Sequence, residues 1–103
     1  MPICSTFLAG LALLQAPVWP ETKAERTQFK ETSTYADVVR FLHDLQRCGA
    51  PVSIKWMGNS TENRPMPLVI ASRPLVATPA QAKASGKPII YIQANIHAGE
   101  VEE

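Results

Sequence analysis

The feature that most limits the possible folds is the apolar segment at residues 89–96, "IIYIQANI". Its apolar side chains occupy both alternating positions for most of its length, whereas a half-buried strand alternates apolar with polar residues. A strand that is apolar on both faces is usually covered above and below, as in the middle of an α/β sheet. The sequence therefore predicts a central strand here and an α/β fold class.

The clearest helix is predicted at residues 35–48. Thr34 is the candidate N-cap, and Asp37 favours the positive end of the helix dipole. Gly49 suits the left-handed residue that ends a helix, and Pro51 prevents its continuation. One stripe at three- and four-residue spacing is apolar and should face the core; its members are Val38, Phe41, Leu42 and Leu45.

Two antiparallel strands should follow this helix, at residues 52–57 and 66–72, joined by a connection rich in turn formers. Trp56 continues the apolar alternation of the first strand, so we expect it in the core. Residues 73–88 contain three prolines and read as a surface connection with a helical turn around residues 79–85. Helix, hairpin and central strand together predict a partial mixed sheet with a flanking helix.

The first 33 residues divide into two parts. Residues 1–16 carry no charged side chain, and the run suits the core of an export signal but is too short for a membrane span of about 20 residues. A buried N-terminal helix is the alternative. Residues 17–33 mix prolines with charges and predict an extended arm, which Trp19 and Phe29 could dock on the core.

Composition excludes some partners. The chain has 103 residues and a net charge of +1, which allows one small domain and provides no basic stripe for a nucleic acid. We expect neither a nucleic-acid partner nor a stable membrane anchor. With residues 1–16 removed, Cys48 would be the single remaining cysteine, so no disulfide framework is predicted.

The candidate site lies directly after the apolar segment, where His97 and Glu100 form a His-x-x-Glu pair. Imidazole nitrogen and carboxylate oxygen are ligands that zinc favours, and α/β sheets place their ligands at the carboxyl ends of strands. Ala98 and Gly99 leave room for two ligands to converge. Taken alone the pair is a weak pattern, and a histidine satisfied at a strand end remains an alternative.

Three segments together resemble the zinc metallocarboxypeptidases, the group that includes carboxypeptidase A. "NIHAGEVE" is similar to their first metal-binding segment, "GNSTENRPMPLVIAS" to their Gly-x-Ser-x-Glu-Gly-Arg-Pro hairpin, and "ETSTYADVVRFLHDL" to an early tyrosine and helix. The segments occur in the family's order across residues 24–102. The resemblance implies that residues 34–103 are the N-terminal part of a zinc peptidase domain, truncated here.

By this resemblance His97 and Glu100 would be ligands of Zn2+ in an exported hydrolase that cleaves peptides or amino-acid conjugates. The family's third ligand, a histidine, and its general-base glutamate lie further along the chain, so no catalytic residue is assigned here and the 103 residues would be inactive alone. The other histidine, His43, falls on the charged side of the predicted helix and reads as a surface residue.

The sequence departs from the family at two places. Many members have Ser-Arg between the two ligands, where this chain has Ala98-Gly99, and this puts the usual recognition of a terminal carboxylate in doubt. The hairpin has Asn63 where the family has glycine, and asparagine is a reasonable substitute where a left-handed turn is required. We read Arg64 as a structural residue that can close on Glu62.

Two other interpretations stay open at the level of sequence. The chain could be a small α/β binding or interaction module without catalytic activity. It could also be a truncated gene product without a function of its own, because three strands and one helix bury little surface.

Overall fold

The computed structural model describes residues 16, 18–94 and 97. Along this part of the chain lie three helices and two strands: α1 Lys23–Arg26, α2 Tyr35–Arg47, β1 Val52–Asn59, β2 Pro65–Ala71 and α3 Pro79–Ala84. The strands form one antiparallel sheet, and α2 lies against β1. The helix and the hairpin confirm the α/β class. The sheet of these residues is purely antiparallel.

Helix α2 begins at the predicted residue and ends at Arg47, one residue before the predicted end. The Thr34 hydroxyl accepts a hydrogen bond from the Asp37 N–H at 3.3 Å, and the Thr34 N–H donates to the Asp37 carboxylate at 3.0 Å, which completes a reciprocal capping box. Beyond the other end, Gly49 has a φ of 79°. These local signals set the length of the helix, and its apolar stripe places Leu42 inside, as the one buried apolar side chain of the described residues.

The hairpin also follows the sequence closely. Val52 pairs with Ala71, Ile54 with Val69, and Trp56 with Pro67. The register shifts between Trp56 and Asn59, where Gly58 has a φ of 115°. An irregularity of this kind bends a strand and ends its regular pairing, so the hairpin turns away from a flat sheet at its loop end.

The arm contains a helix that the sequence analysis missed. Thr22 and Glu25 form a capping box around the single turn of α1, and the two residues after its C-cap, Gln28 and Phe29, have positive φ. Phe29 is 82% exposed, so it does not dock on the core, whereas Trp19 is 46% exposed. A four-residue helix has no apolar period to reveal it, and only its cap could have predicted it.

The central strand predicted at residues 89–96 is wrong for its described part, because residues 89–94 adopt no strand. Ile90 and Ile92 are 82% and 84% exposed. Apolar side chains make burial favourable, but a strand exists only where a neighbouring strand accepts its hydrogen bonds. Among the described residues the sheet contains β1 and β2 alone. Residues 95 and 96 lie outside the described part.

Trp56 is also more exposed than predicted, with 49% of its surface accessible. It lies opposite Pro67, near the end of the hairpin where β1 becomes exposed. Alternation placed Trp56 on the same face as Val52 and Ile54, but no described element extends far enough to cover that end. Periodicity identifies the face of a strand and leaves open how much of it another element covers.

The predicted helical turn in the connection is confirmed as α3. Thr78 is its N-cap and accepts from the Gln81 N–H at 3.2 Å. A search of the described helices finds none with the length and hydropathy required to span a membrane. The signal predicted at residues 1–16 falls outside the described residues except for residue 16.

Candidate functional site

His97 is an exposed residue that follows the exposed apolar segment. Its predicted companion Glu100 lies outside the described residues, as do Ala98 and Gly99. The convergence of the His97 imidazole and the Glu100 carboxylate therefore remains a prediction. What the structure adds is that His97 is exposed to solvent.

The donor chemistry of this pair fits zinc, which takes imidazole nitrogen at about 2.0–2.1 Å and carboxylate oxygen at about 2.0–2.2 Å. Within the part of the chain that the structure describes, no group of three or more His, Cys, Asp and Glu side chains could hold a metal ion. His97 is thus the candidate donor that the structure contains, and at least two further donors are needed for a zinc site.

His43 is exposed on α2, as the sequence predicts. It is followed by Asp44, whose carboxylate is bound by Arg47 one turn later. This ion pair links the exposed Arg47 to the partly buried Asp44. The surroundings of His43 are those of a helix surface, and His43 is therefore a suitable control in experiments on His97.

The loop between β1 and β2 is built by short-range hydrogen bonds. The Ser60 N–H donates to the Arg64 carbonyl oxygen at 2.9 Å, and the Asn63 N–H donates to the Ser60 carbonyl oxygen at 2.9 Å. The Arg64 N–H donates to the Ser60 hydroxyl at 3.2 Å. Asn63 has a φ of 59°, which confirms the predicted left-handed turn at the position where the family has glycine.

Arg64 connects this loop to α2. Its guanidinium lies 3.0 Å from the Glu62 carboxylate, as predicted, and its Cζ atom is 5.9 Å from the centre of the Tyr35 ring. The Tyr35 hydroxyl donates to the Pro65 carbonyl oxygen at 2.8 Å. Because both Glu62 and Arg64 are more than half exposed, their ion pair adds little stability, and the ring contact and the tyrosine bond position the loop.

A small polar cleft of about 110 Å³ lies between α1 and the first turns of α2. Lys23 crosses it, 3.2 Å from the Glu31 carboxylate and 3.5 Å from that of Asp37. His97 is not among the residues that line the cleft. Its charges bind one another, so the cleft joins the arm to α2 and is a structural feature.

The pKa shifts of the described residues have structural causes as well. The N–H and then the hydroxyl of Thr34 donate to Asp37, and with Lys23 and Arg40 nearby they hold the pKa of that carboxyl well below its usual range. Thr22 lowers the pKa of Glu25 in the same way. Both carboxylates are capping residues, so neither shift indicates a catalytic acid or base.

The comparison with known proteins identifies the family of the chain. The family model described as zinc carboxypeptidase matches residues 38–102, which is more than half of the chain. This match shows that the chain belongs to the zinc carboxypeptidase family. No curated protein and no solved structure matches the chain.

The match begins inside α2, extends through the hairpin and includes the His-x-x-Glu pair. The match thus includes the hairpin segment and the His-x-x-Glu segment whole, and the helix segment from residue 38 onward. Sequence reasoning missed the hydrogen bond of Tyr35 to Pro65, since nothing in the spacing of two residues 30 positions apart predicts their contact. The one sequence feature that could have drawn attention to this contact is a tyrosine at the first position of a capped helix.

Proposed function

We propose that this chain is the N-terminal part of an exported zinc carboxypeptidase-like hydrolase that acts on peptides or amino-acid conjugates. The family match over residues 38–102 is the observation that carries the proposal. In this role His97 and Glu100 are metal ligands. A catalytic zinc site also needs a third protein ligand and a general base, in addition to these two residues.

The chain's own contribution is to hold two donors of different type next to each other. When bound, zinc would supply a polarised carbonyl and a bound water of lowered pKa for hydrolysis. An imidazole and one carboxylate leave part of the positive charge of the ion uncompensated, which suits a Lewis acid.

Zinc titration of the purified chain tests this assignment. Because the pair is only part of a zinc site, we expect weak binding of one zinc ion per chain. We expect His97→Ala and Glu100→Ala each to weaken this binding by at least about tenfold, since even partners that only orient a ligand are worth 10- to 100-fold. His43→Ala is the matched control because His43 is exposed on α2. Equal binding by all of these variants would contradict the metal assignment and favour a binding module.

Export is proposed from residues 1–16, whose apolar and uncharged composition supports a signal core. The test is a fusion of residues 1–33 to a reporter enzyme that folds only outside the cytoplasm. We expect reporter activity with the natural segment and loss of activity with Leu11→Arg combined with Leu13→Arg, which interrupts the apolar run. Activity that survives both charges would exclude a signal function for these residues.

A further inference from the structure

The end of β1 and the start of the loop contain a pattern that the metal site does not use. Asn59, Ser60 and Thr61 form the sequence Asn-x-Thr with a residue other than proline in the middle. This is the acceptor pattern for N-linked glycans, and its expected context is a surface loop of an exported protein. The pattern alone arises by chance, so its surroundings decide whether it can be used.

Asn59 and Thr61 are both exposed. Asn59 is the last residue of β1, where it follows the register shift and pairs with Pro65 next to the loop. Its amide nitrogen Nδ2 donates to the Asn63 Oδ1 atom at 2.7 Å. An amide nitrogen carries two protons, so this contact leaves one position on the exposed side chain for a substituent.

From this geometry we infer that Asn59 is an acceptor for an N-linked oligosaccharide. The co-reactant is a polyprenyl-diphosphate-linked oligosaccharide, presented by a membrane-bound transferase that reads the Thr61 hydroxyl. The bond that forms joins Asn59 Nδ2 to C1 of the first sugar. The bond that breaks joins C1 to the diphosphate oxygen, so the lipid diphosphate leaves and the amide proton passes to a base of the transferase.

The hairpin can hold the glycan after transfer. The loop is closed by backbone hydrogen bonds between Ser60 and Arg64 and between Asn63 and Ser60, and a substituent on the Asn59 amide removes none of these bonds. Tyr35 and Arg64 fix the loop to α2 through the Pro65 and Arg64 side of the turn. This attachment leaves the exposed Asn59 side of the turn as the place for a bulky polar group.

The inference rests on the export proposed above, and the experiment separates the two. The full chain is expressed in cells with an N-glycosylating secretory pathway, once with its own N-terminus and once with residues 1–16 replaced by an established secretion leader. We expect a slower-migrating species in both, converted to the unmodified form by a glycan-removing amidase. If the chain is modified only when it carries the foreign leader, Asn59 is still the acceptor, but export by residues 1–16 is refuted.

Variants of the loop test the assignment of the acceptor. Asn59→Gln and Thr61→Ala should each abolish the slower-migrating species, while Thr61→Ser should retain it. Asn63→Gly is the matched control, because it removes the hydrogen-bond partner of Asn59 but keeps the pattern and the positive φ. Secretion of the unmodified full chain from the foreign leader, or modification that survives Asn59→Gln, would overturn the inference.

Discussion

The Tyr35 hydroxyl donates a hydrogen bond of 2.8 Å to the Pro65 carbonyl oxygen and thereby joins the first residue of α2 to the first residue of β2. The same ring lies under the Arg64 guanidinium. One aromatic side chain therefore positions the hairpin loop relative to the helix. With Leu42 as the one buried apolar side chain of the described residues, such polar contacts between elements matter more than in a domain with a large core.

Replacing Tyr35 separates these two contacts. Tyr35→Phe removes the hydroxyl and keeps the ring, so we expect the free energy of opening of α2 and β2 to fall by about 0.5–1 kcal/mol. Tyr35→Leu also removes the ring contact with Arg64 and should cost about 0.5 kcal/mol more. Amide hydrogen exchange of the two elements measures both. Equal values for wild type and Tyr35→Phe would show that the bond is replaced by water at no cost.

A second prediction concerns the left-handed residue of the loop. Asn63→Gly keeps the φ of 59° without strain, so the hairpin population should change by less than about 0.5 kcal/mol. Asn63→Val places a β-branched side chain in the left-handed region and should cost about 1–2 kcal/mol. The measurement is the intensity of cross-strand nuclear Overhauser effects between Ile54 and Val69, which are paired. A hairpin unaffected by valine would rule out this turn.

The parts of the fold that could be predicted from the sequence are those decided by residues close to one another along the chain. Both ends of α2 and the left-handed Asn63 could be predicted, because a cap or a turn is decided by residues within about four positions. The contact of Tyr35 with Pro65 could not, since it depends on how the helix and the hairpin pack. The assignment of His97 and Glu100 as metal ligands came from the family resemblance. Their spacing in the sequence does not by itself predict that the two side chains meet at one metal ion.

The pH dependence of α2 gives a third prediction. Hydrogen bonds from Thr34 lower the folded-state pKa of Asp37, so its contribution to stability is fully present above its unfolded pKa of about 3.9 and is lost as the pH falls through the lower folded value. We expect α2 to lose helicity progressively below about pH 4. Asp37→Asn should weaken this dependence, because the amide cannot titrate.

The measurement is ellipticity at 222 nm against pH at constant ionic strength, for the wild type, Asp37→Asn and Thr34→Ala. Thr34→Ala removes the N-cap hydroxyl and should cost about 1 kcal/mol of helix stability at neutral pH. It should also reduce the acid dependence, since the hydroxyl bond that lowers the Asp37 pKa is lost. Identical acid profiles for the wild type and Asp37→Asn would contradict the capping box as the source.

The last prediction concerns the segment before His97. Ile89, Ile90, Tyr91 and Ile92 are 71–84% exposed, and the segment has no strand partner among the described residues. Its amides should therefore exchange with solvent much faster than those of Ile54 and Val69 in the hairpin. The exposed isoleucines should also bind an apolar fluorescent dye. Ile90→Lys combined with Ile92→Lys should reduce that binding, because the two charges interrupt a β-prone run without affecting the hairpin. Slow exchange over residues 89–92, at the rate of the hairpin amides, would instead mean that the segment pairs as the central strand that its apolar pattern predicts, and the exposed arrangement would then be wrong.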